Sequence, residues 1–125
     1  MSNPTVEDVK SWRLAADQGF ADAQFNLGAA YYFGKGVAQD YVESAKWNRK
    51  AADQGHVLAQ LNLGFAYGQG KGVPQDYAEA HKWFNLAAAA GNTLGGEGRD
   101  ALANLMTPEQ VAEAQRLARE WKPKE

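Results

Sequence analysis

Two pairs of carboxylates are the side chains whose type and spacing first suggest chemistry. Asp40 lies three residues before Glu43, and Asp76 lies three residues before Glu79. Paired carboxylates could serve as general acid and base, but the same spacing is that of a helix N-cap followed by an acidic residue at N3. Because the pair occurs twice, we predict that both pairs begin helices in a capping-box arrangement and that neither is catalytic.

The other candidates form no recognisable catalytic or metal-binding motif. His56 follows Gly55, so we expect a solvent-facing loop residue, and His81 has no histidine or cysteine at i+3 or i+4 to share a metal. No serine lies in a nucleophile-elbow pattern, and the Gly-Lys-Gly-Val loops lack the strings of phosphate-binding loops. We therefore predict no catalytic residue, no metal and no cofactor.

The composition favours helices and argues against several classes of function. The chain has 125 residues, of which 23 are alanine and none is isoleucine, and this balance predicts an all-α fold. No cysteine is present for disulfides, and a net charge of −2 offers no broad basic face for nucleic acid. No apolar stretch is long enough to span a membrane, so we expect no membrane insertion. The N-terminus lacks the features of a signal peptide, so we expect a cytoplasmic protein, or a periplasmic one if a leader has been removed.

The elements that position these residues recur with a fixed period. Residues 15–50 and 51–86 match at 22 of 36 positions, a self-similarity that is typical of helical repeat proteins. The register continues to Gly91 and then degrades through residues 95–98, so that a third repeat is altered, whereas residues 5–18 occupy the place of the second half of a repeat. The chain therefore contains two complete and two partial repeats.

Each period predicts two helices. The first, near residues 21–33 or 57–69, ends at a glycine, Gly34 or Gly70, that can adopt a positive φ. The second begins at the capping aspartate and ends before another glycine. A final helix, from Thr107 to about residue 121, has threonine, proline and glutamine at its cap, N1 and N3 positions. The sequence predicts seven helices in total.

The repeat carries a family resemblance in its residues. The motif is Ala23-x-x-x-Leu27-Gly28-x-x-Tyr31-x-x-Gly34-x-Gly36-Val37, then Asp40-Tyr41-x-x-Ser44-Ala45-x-Trp47 and Ala51-Ala52-x-x-Gly55. It returns at residues 59–91 and resembles the Sel1-like repeat, a relative of the tetratricopeptide repeat. The resemblance covers about residues 5–105 and implies a right-handed α/α solenoid that acts as a scaffold for protein partners.

The resemblance divides one domain, residues 1–125, into consecutive segments. These are a partial repeat at 5–19, complete repeats at 20–55 and 56–91, a degraded repeat at 92–105 and a capping helix at 107–121. In the degraded repeat, Gly95, Gly96 and Gly98 replace helix-favouring residues. We therefore expect its first helix to be frayed or to start late, near Glu97.

Comparing the two complete repeats separates positions that the shared architecture needs from positions that are free for another role. On a wheel of the first helix at roughly 100° per residue, identical residues occupy one arc and differing residues occupy the complementary arc. In tetratricopeptide-type solenoids the corresponding stripe lines the concave groove, so the resemblance implies a partner-binding surface here. Its predicted members are Asp22, Phe25, Ala29, Tyr32, Phe33, Leu58, Leu61, Phe65 and Gln69.

The stripe is rich in apolar side chains, which is typical of an interaction site when such side chains are exposed. Aromatic anchors in a preformed groove suit an amphipathic helix or an extended segment. The alternative is that Phe25 and Leu61 pack against neighbouring repeats, or that the C-terminal helix folds back into the groove.

Several functions remain open from the sequence. The favoured hypothesis is a noncatalytic scaffold whose groove binds a protein or peptide segment. A second is a self-assembling module, in which the groove or an exposed end of the solenoid contacts a second copy. The resemblance extends to cysteine-rich members regarded as hydrolases of cell-wall-type substrates, but their cysteines are absent here. It also implies a bacterial setting, with roles as immunity or regulatory proteins or as envelope adaptors.

Overall fold

The computed structural model describes residues 3–124, and the helices account for most of this range. They are α1 (Val6–Asp17), α2 (Ala21–Phe33), α3 (Tyr41–Asp53), α4 (Val57–Gln69), α5 (Tyr77–Ala89), α6 (Thr93–Ala103) and α7 (Pro108–Glu120). Within the described residues, the predictions of an all-α fold and of seven helices are confirmed. Residues 1, 2 and 125, which the predicted domain includes, lie outside this range.

The helices pack against their neighbours in the chain and form a solenoid. The pairs α2–α3 and α4–α5 are the two complete repeats, with α1 stacked before them and α6 after them. The repeated tryptophans lie in the core: Trp47 packs with Leu27 and Tyr31, and Trp83 packs with Leu63. Burial of these large side chains between successive helices is the main source of stability in a repeat array.

The capping aspartates begin helices as predicted, but their hydrogen bonds differ from the predicted pattern. Asp40 Oδ1 accepts hydrogen bonds from the backbone N–H groups of Val42 and Glu43 at 3.0 and 3.1 Å. The predicted capping box is wrong for both pairs. The Asp40 N–H donates to the carbonyl oxygen of Tyr31 at 2.9 Å and not to Glu43, and the Asp76 N–H likewise donates to the carbonyl oxygen of Tyr67 at 3.0 Å. The cap therefore ties the start of α3 to α2, and Glu43 forms an ion pair with Lys46 instead.

The first helix of the degraded repeat corrects a second expectation. Helix α6 begins at Thr93, with Asn92 as its N-cap, and continues through all three glycines. A Cβ on Gly95 would lie 2.8 Å from the carbonyl oxygen of Phe84, and one on Gly98 would lie 2.9 Å from the Phe84 ring. These glycines allow α6 to approach α5 closely, and this packing outweighs their low helix propensity.

The C-terminal helix α7 packs against α5. Its capping box at Thr107 and Gln110 is formed as predicted. After the helix, Trp121 packs edge to face on Trp83 with ring centroids 6.3 Å apart, and the backbone N–H of Lys124 donates to the carbonyl oxygen of Asp53 at 2.7 Å. The C-terminal segment thus covers the Trp83 core and reaches the end of α3.

Gly64→Ala should destabilise the protein, because the new Cβ would lie 2.4 Å from the buried ring of Phe84. Overpacking of this kind costs about 1–3 kcal/mol. Gly68→Ala in the same helix is the matched control, since its Cβ would meet only the Ala80 methyl group at 3.9 Å. That control should stabilise the helix by up to about 1 kcal/mol. Urea midpoints that move equally for both variants would contradict the close contact.

Candidate partner-binding cleft

A cleft with a volume of about 200 Å³ lies between α2, α3 and α4. Five of the nine predicted groove residues line it: Ala29, Tyr32, Phe33, Phe65 and Gln69. Phe33 and Phe65 are 63% and 42% exposed, so the cleft presents aromatic surface to solvent. Helix α7 contributes no residue to its lining, so the cleft is not filled by the C-terminal helix.

The other four predicted groove residues lie outside the cleft lining. Leu61 is only 6% exposed and packs in a core cluster with Phe84 and Leu102, so the expectation of an exposed Leu61 is wrong. Its cluster combines α5 of its own repeat with Leu102 of the degraded repeat, so the alternative of internal packing describes this residue. Leu58 is exposed on α4.

Asp22 and Phe25 belong to a separate cluster around His56. The imidazole of His56 stacks on the Phe25 ring with centroids 4.7 Å apart, and its Nε2 lies 3.0 Å from Asp22 Oδ1. Its Nδ1 accepts a hydrogen bond from the backbone N–H of Ala59 at 3.2 Å, which makes His56 the N-cap of α4. The expectation of a solvent-facing loop residue is therefore wrong, because His56 joins the two repeats.

The second helix α3 supplies the floor of the cleft, which the pattern of the first helices does not predict. This floor consists of the α3 residues that line the cleft, Tyr41, Ser44, Ala45 and Asn48. Asn48 is 5% exposed, its Nδ2 lies 3.5 Å from Ser44 Oγ, and its Oδ1 has no hydrogen-bond partner among residues 3–124. Comparing the second helices would have marked this position, because the next repeat has Phe84 there.

Lys71 brings a positive charge to the cleft from the loop after α4. Its Nζ lies 5.6 Å and 5.4 Å from the ring centroids of Tyr32 and Tyr41, distances at which a cation is attracted to an aromatic face. The cleft therefore combines aromatic walls, a buried carboxamide and one ammonium group. This arrangement suits binding rather than acid–base or nucleophilic chemistry.

The second histidine has a structural environment. His81 on α5 is 2% exposed, and its Nδ1 has no hydrogen-bond partner in the described part of the chain. Burial and the nearby positive charge of Arg99 lower its pKa, in that order of size, against a smaller opposing effect of Asp100. Across residues 3–124, no three histidines, cysteines, aspartates or glutamates are grouped so that they could hold a metal ion.

Comparison with known proteins identifies the family. The family model for the Sel1 repeat matches residues 21–56 and 57–92, which is more than half of the chain. The chain belongs to the Sel1 repeat family. Its two matched Sel1 repeats coincide with the helix pairs α2–α3 and α4–α5, so the resemblance stated from the sequence is confirmed. Sel1 repeats are generally scaffolds for protein interactions and are typically noncatalytic.

Two solved structures show the same Sel1 solenoid. A protective antigen present in uropathogenic Escherichia coli strains, which displays an SLR fold, is 39% identical with a TM-score of 0.90. A Sel1 repeat protein from Oxalobacter formigenes is 32% identical with a TM-score of 0.77. The matches cover 93% and 92% of this chain but only 25% and 49% of those proteins. No curated protein sequence gave a match. No described helix is both long and apolar enough to cross a membrane.

We expect the stability of the protein to fall as the pH is lowered below about 6.5, the ordinary pKa of histidine. Because the pKa of His81 is lowered in the folded state, the unfolded chain binds a proton first, and protonation favours unfolding. His81→Ala installs the residue found at the equivalent position, Ala45, and should reduce this dependence. Urea midpoints measured at about pH 7.5 and pH 5.5 check the expectation, which fails if both proteins lose equal stability.

Proposed function

We propose that this chain is a noncatalytic scaffold that binds a peptide segment of a partner protein in the cleft between α2, α3 and α4. The observation that carries the proposal is the exposed aromatic surface of Phe33 and Phe65 at a preformed cleft. Exposed apolar surface in a concave site is typical of partner binding. The scaffold role of Sel1 repeats in general supports the same function.

The variation between the repeats supports the proposal further. Ala29, Tyr32 and Phe33 line the cleft, yet the equivalent positions in the second repeat hold Phe65, Gly68 and Gln69. The common architecture therefore tolerates very different side chains here. Selection for a partner accounts for aromatic residues at positions where folding does not demand them.

Self-association is a second candidate that a separate observation favours. Leu14 and Phe20, near the α1 end of the solenoid, are 69% and 60% exposed, and Leu105, near the other end, is 66% exposed. Apolar side chains at the ends of a repeat array are suited to contact another copy. Sedimentation at two protein concentrations tests this candidate, because a monomer at both would exclude it under those conditions.

Ala29→Phe should block peptide binding while the protein stays folded. The substitution installs the residue of the equivalent position, Phe65, on the wall of the cleft, so the ring should occupy the binding volume. Peptides selected from a displayed random library on the parent protein should bind the variant at least tenfold more weakly, or about 1.4 kcal/mol. Ala112→Phe, an exposed position on α7, is the matched control.

Affinities measured by fluorescence anisotropy and thermal melts decide the result. The proposal requires equal affinity for the parent and Ala112→Phe, and a loss only in Ala29→Phe with a melting temperature close to that of the parent. If every selected peptide binds Ala29→Phe as tightly as the parent, the cleft is not the binding site.

A further inference from the structure

The cleft has a counterpart one repeat later that is filled by the protein itself. There, Phe65 and Phe84 stand in place of Ala29 and Asn48. The two rings meet edge to face with centroids 5.0 Å apart, and the Phe84 ring lies against Gly64 of α4 and Gly98 of α6. In the first repeat a methyl group and a carboxamide replace these rings, and this exchange leaves the cleft open.

The floor of the open cleft carries a hydrogen-bond acceptor without a partner. A buried acceptor left without a donor destabilises a fold, and Asn48 Oδ1 has no donor within residues 3–124. The fold does not require a polar residue here, because the equivalent position is Phe84. Asn48 Oδ1 is therefore an acceptor that a ligand donor could satisfy.

Lys71 brings a positive charge to the cleft, and no carboxylate among residues 3–124 forms an ion pair with it. Lys46 and Lys82 each pair with a glutamate three residues earlier, whereas none of the ion pairs within residues 3–124 involves Lys71. Its ammonium group has a single long hydrogen bond, 3.4 Å to the hydroxyl of Tyr32. A carboxylate on the ligand would complement this charge.

We infer that the cleft binds an extended acidic peptide that inserts one aromatic side chain, donates a backbone N–H to Asn48 Oδ1 and places a carboxylate beside Lys71. The volume of about 200 Å³ suits one side chain rather than a folded surface. The ring would lie in the cleft beside the Asn48 carboxamide and would contact Phe65, since both residues line the cleft. An extended segment fits better than a helix, because backbone N–H groups inside a helix are already bonded. The inference rests on the proposed function and specifies its ligand.

The test uses the blocked peptide acetyl-Gly-Glu-Phe-Glu-Gly-amide, titrated into the full chain and followed by NMR. The signals of the Asn48 side-chain amide and the Lys71 backbone amide should shift and saturate. Replacing the peptide phenylalanine by alanine should raise the Kd at least about tenfold, because an aromatic anchor is lost. Replacing both glutamates by glutamine should raise it about threefold. Absence of shifts at millimolar peptide, or an unchanged Kd for either replacement, would overturn the inference.

Variants of the protein give a second, independent measurement. Lys71→Gln should abolish the difference between the glutamate and glutamine peptides, and Lys35→Gln, the equivalent lysine in the preceding loop, should preserve it. Lys35 is the matched control because it contacts Phe33 and Asn3 and is absent from the cleft lining. Asn48→Leu removes the acceptor and should raise the Kd of the original peptide several-fold.

The outcomes separate this inference from the proposed function. Some library peptides could lose binding to Ala29→Phe and yet contain neither an aromatic nor an acidic residue. This result would leave the proposed function intact and overturn the inference. If no peptide depends on the cleft, both are wrong. A Lys35→Gln variant that behaves like Lys71→Gln would show a general charge effect and would also overturn the inference.

Discussion

The close contact between the two helices of each repeat determines the geometry on which the rest of the chain depends. Gly28 faces the carboxamide of Asn48, and Gly64 faces the ring of Phe84; a Cβ at these glycines would lie 2.8 Å and 2.4 Å from those groups. Since glycine adds no side chain at the contact, one backbone arrangement accepts either asparagine or phenylalanine on the second helix. The backbone arrangement of the two helices is therefore the same in both repeats, while the side chain that faces the glycine differs.

The constant backbone contact and the variable side chain together explain how the neighbouring repeats 20–55 and 56–91, identical at 20 of 36 positions, can differ in whether a cleft is open. The second repeat fills its space with Phe84, which is 3% exposed, and contributes to the core. The first repeat replaces that ring by Asn48 and leaves a cleft. Removing apolar contacts and burying an unpaired acceptor both lower stability, so the open cleft has a cost that binding would offset.

The sequence predicts this fold well, because the period, glycines and capping residues act locally and in register. It predicts the burial and contacts of individual side chains less well, since a helical wheel describes one helix and does not include the helices packed against it. Leu61 lies on the predicted stripe but packs in a core cluster with residues of α5 and α6, and Phe25 stacks on His56. Helix α6 starts at its cap because tertiary packing tolerates the glycines that propensity alone disfavours. Asn48 was missed because only the first helices were compared.

A crystal structure of the protein with N-acetyl-phenylalanine amide tests the central claim most directly. The claim is that Asn48 and Ala29 leave open the space that aromatic rings fill one repeat later. We expect the ligand ring to lie between α2 and α4 against Phe65, with a ligand N–H donating to Asn48 Oδ1. A cleft closed by the protein's own side chains, or a ring bound only elsewhere on the solenoid, would contradict it.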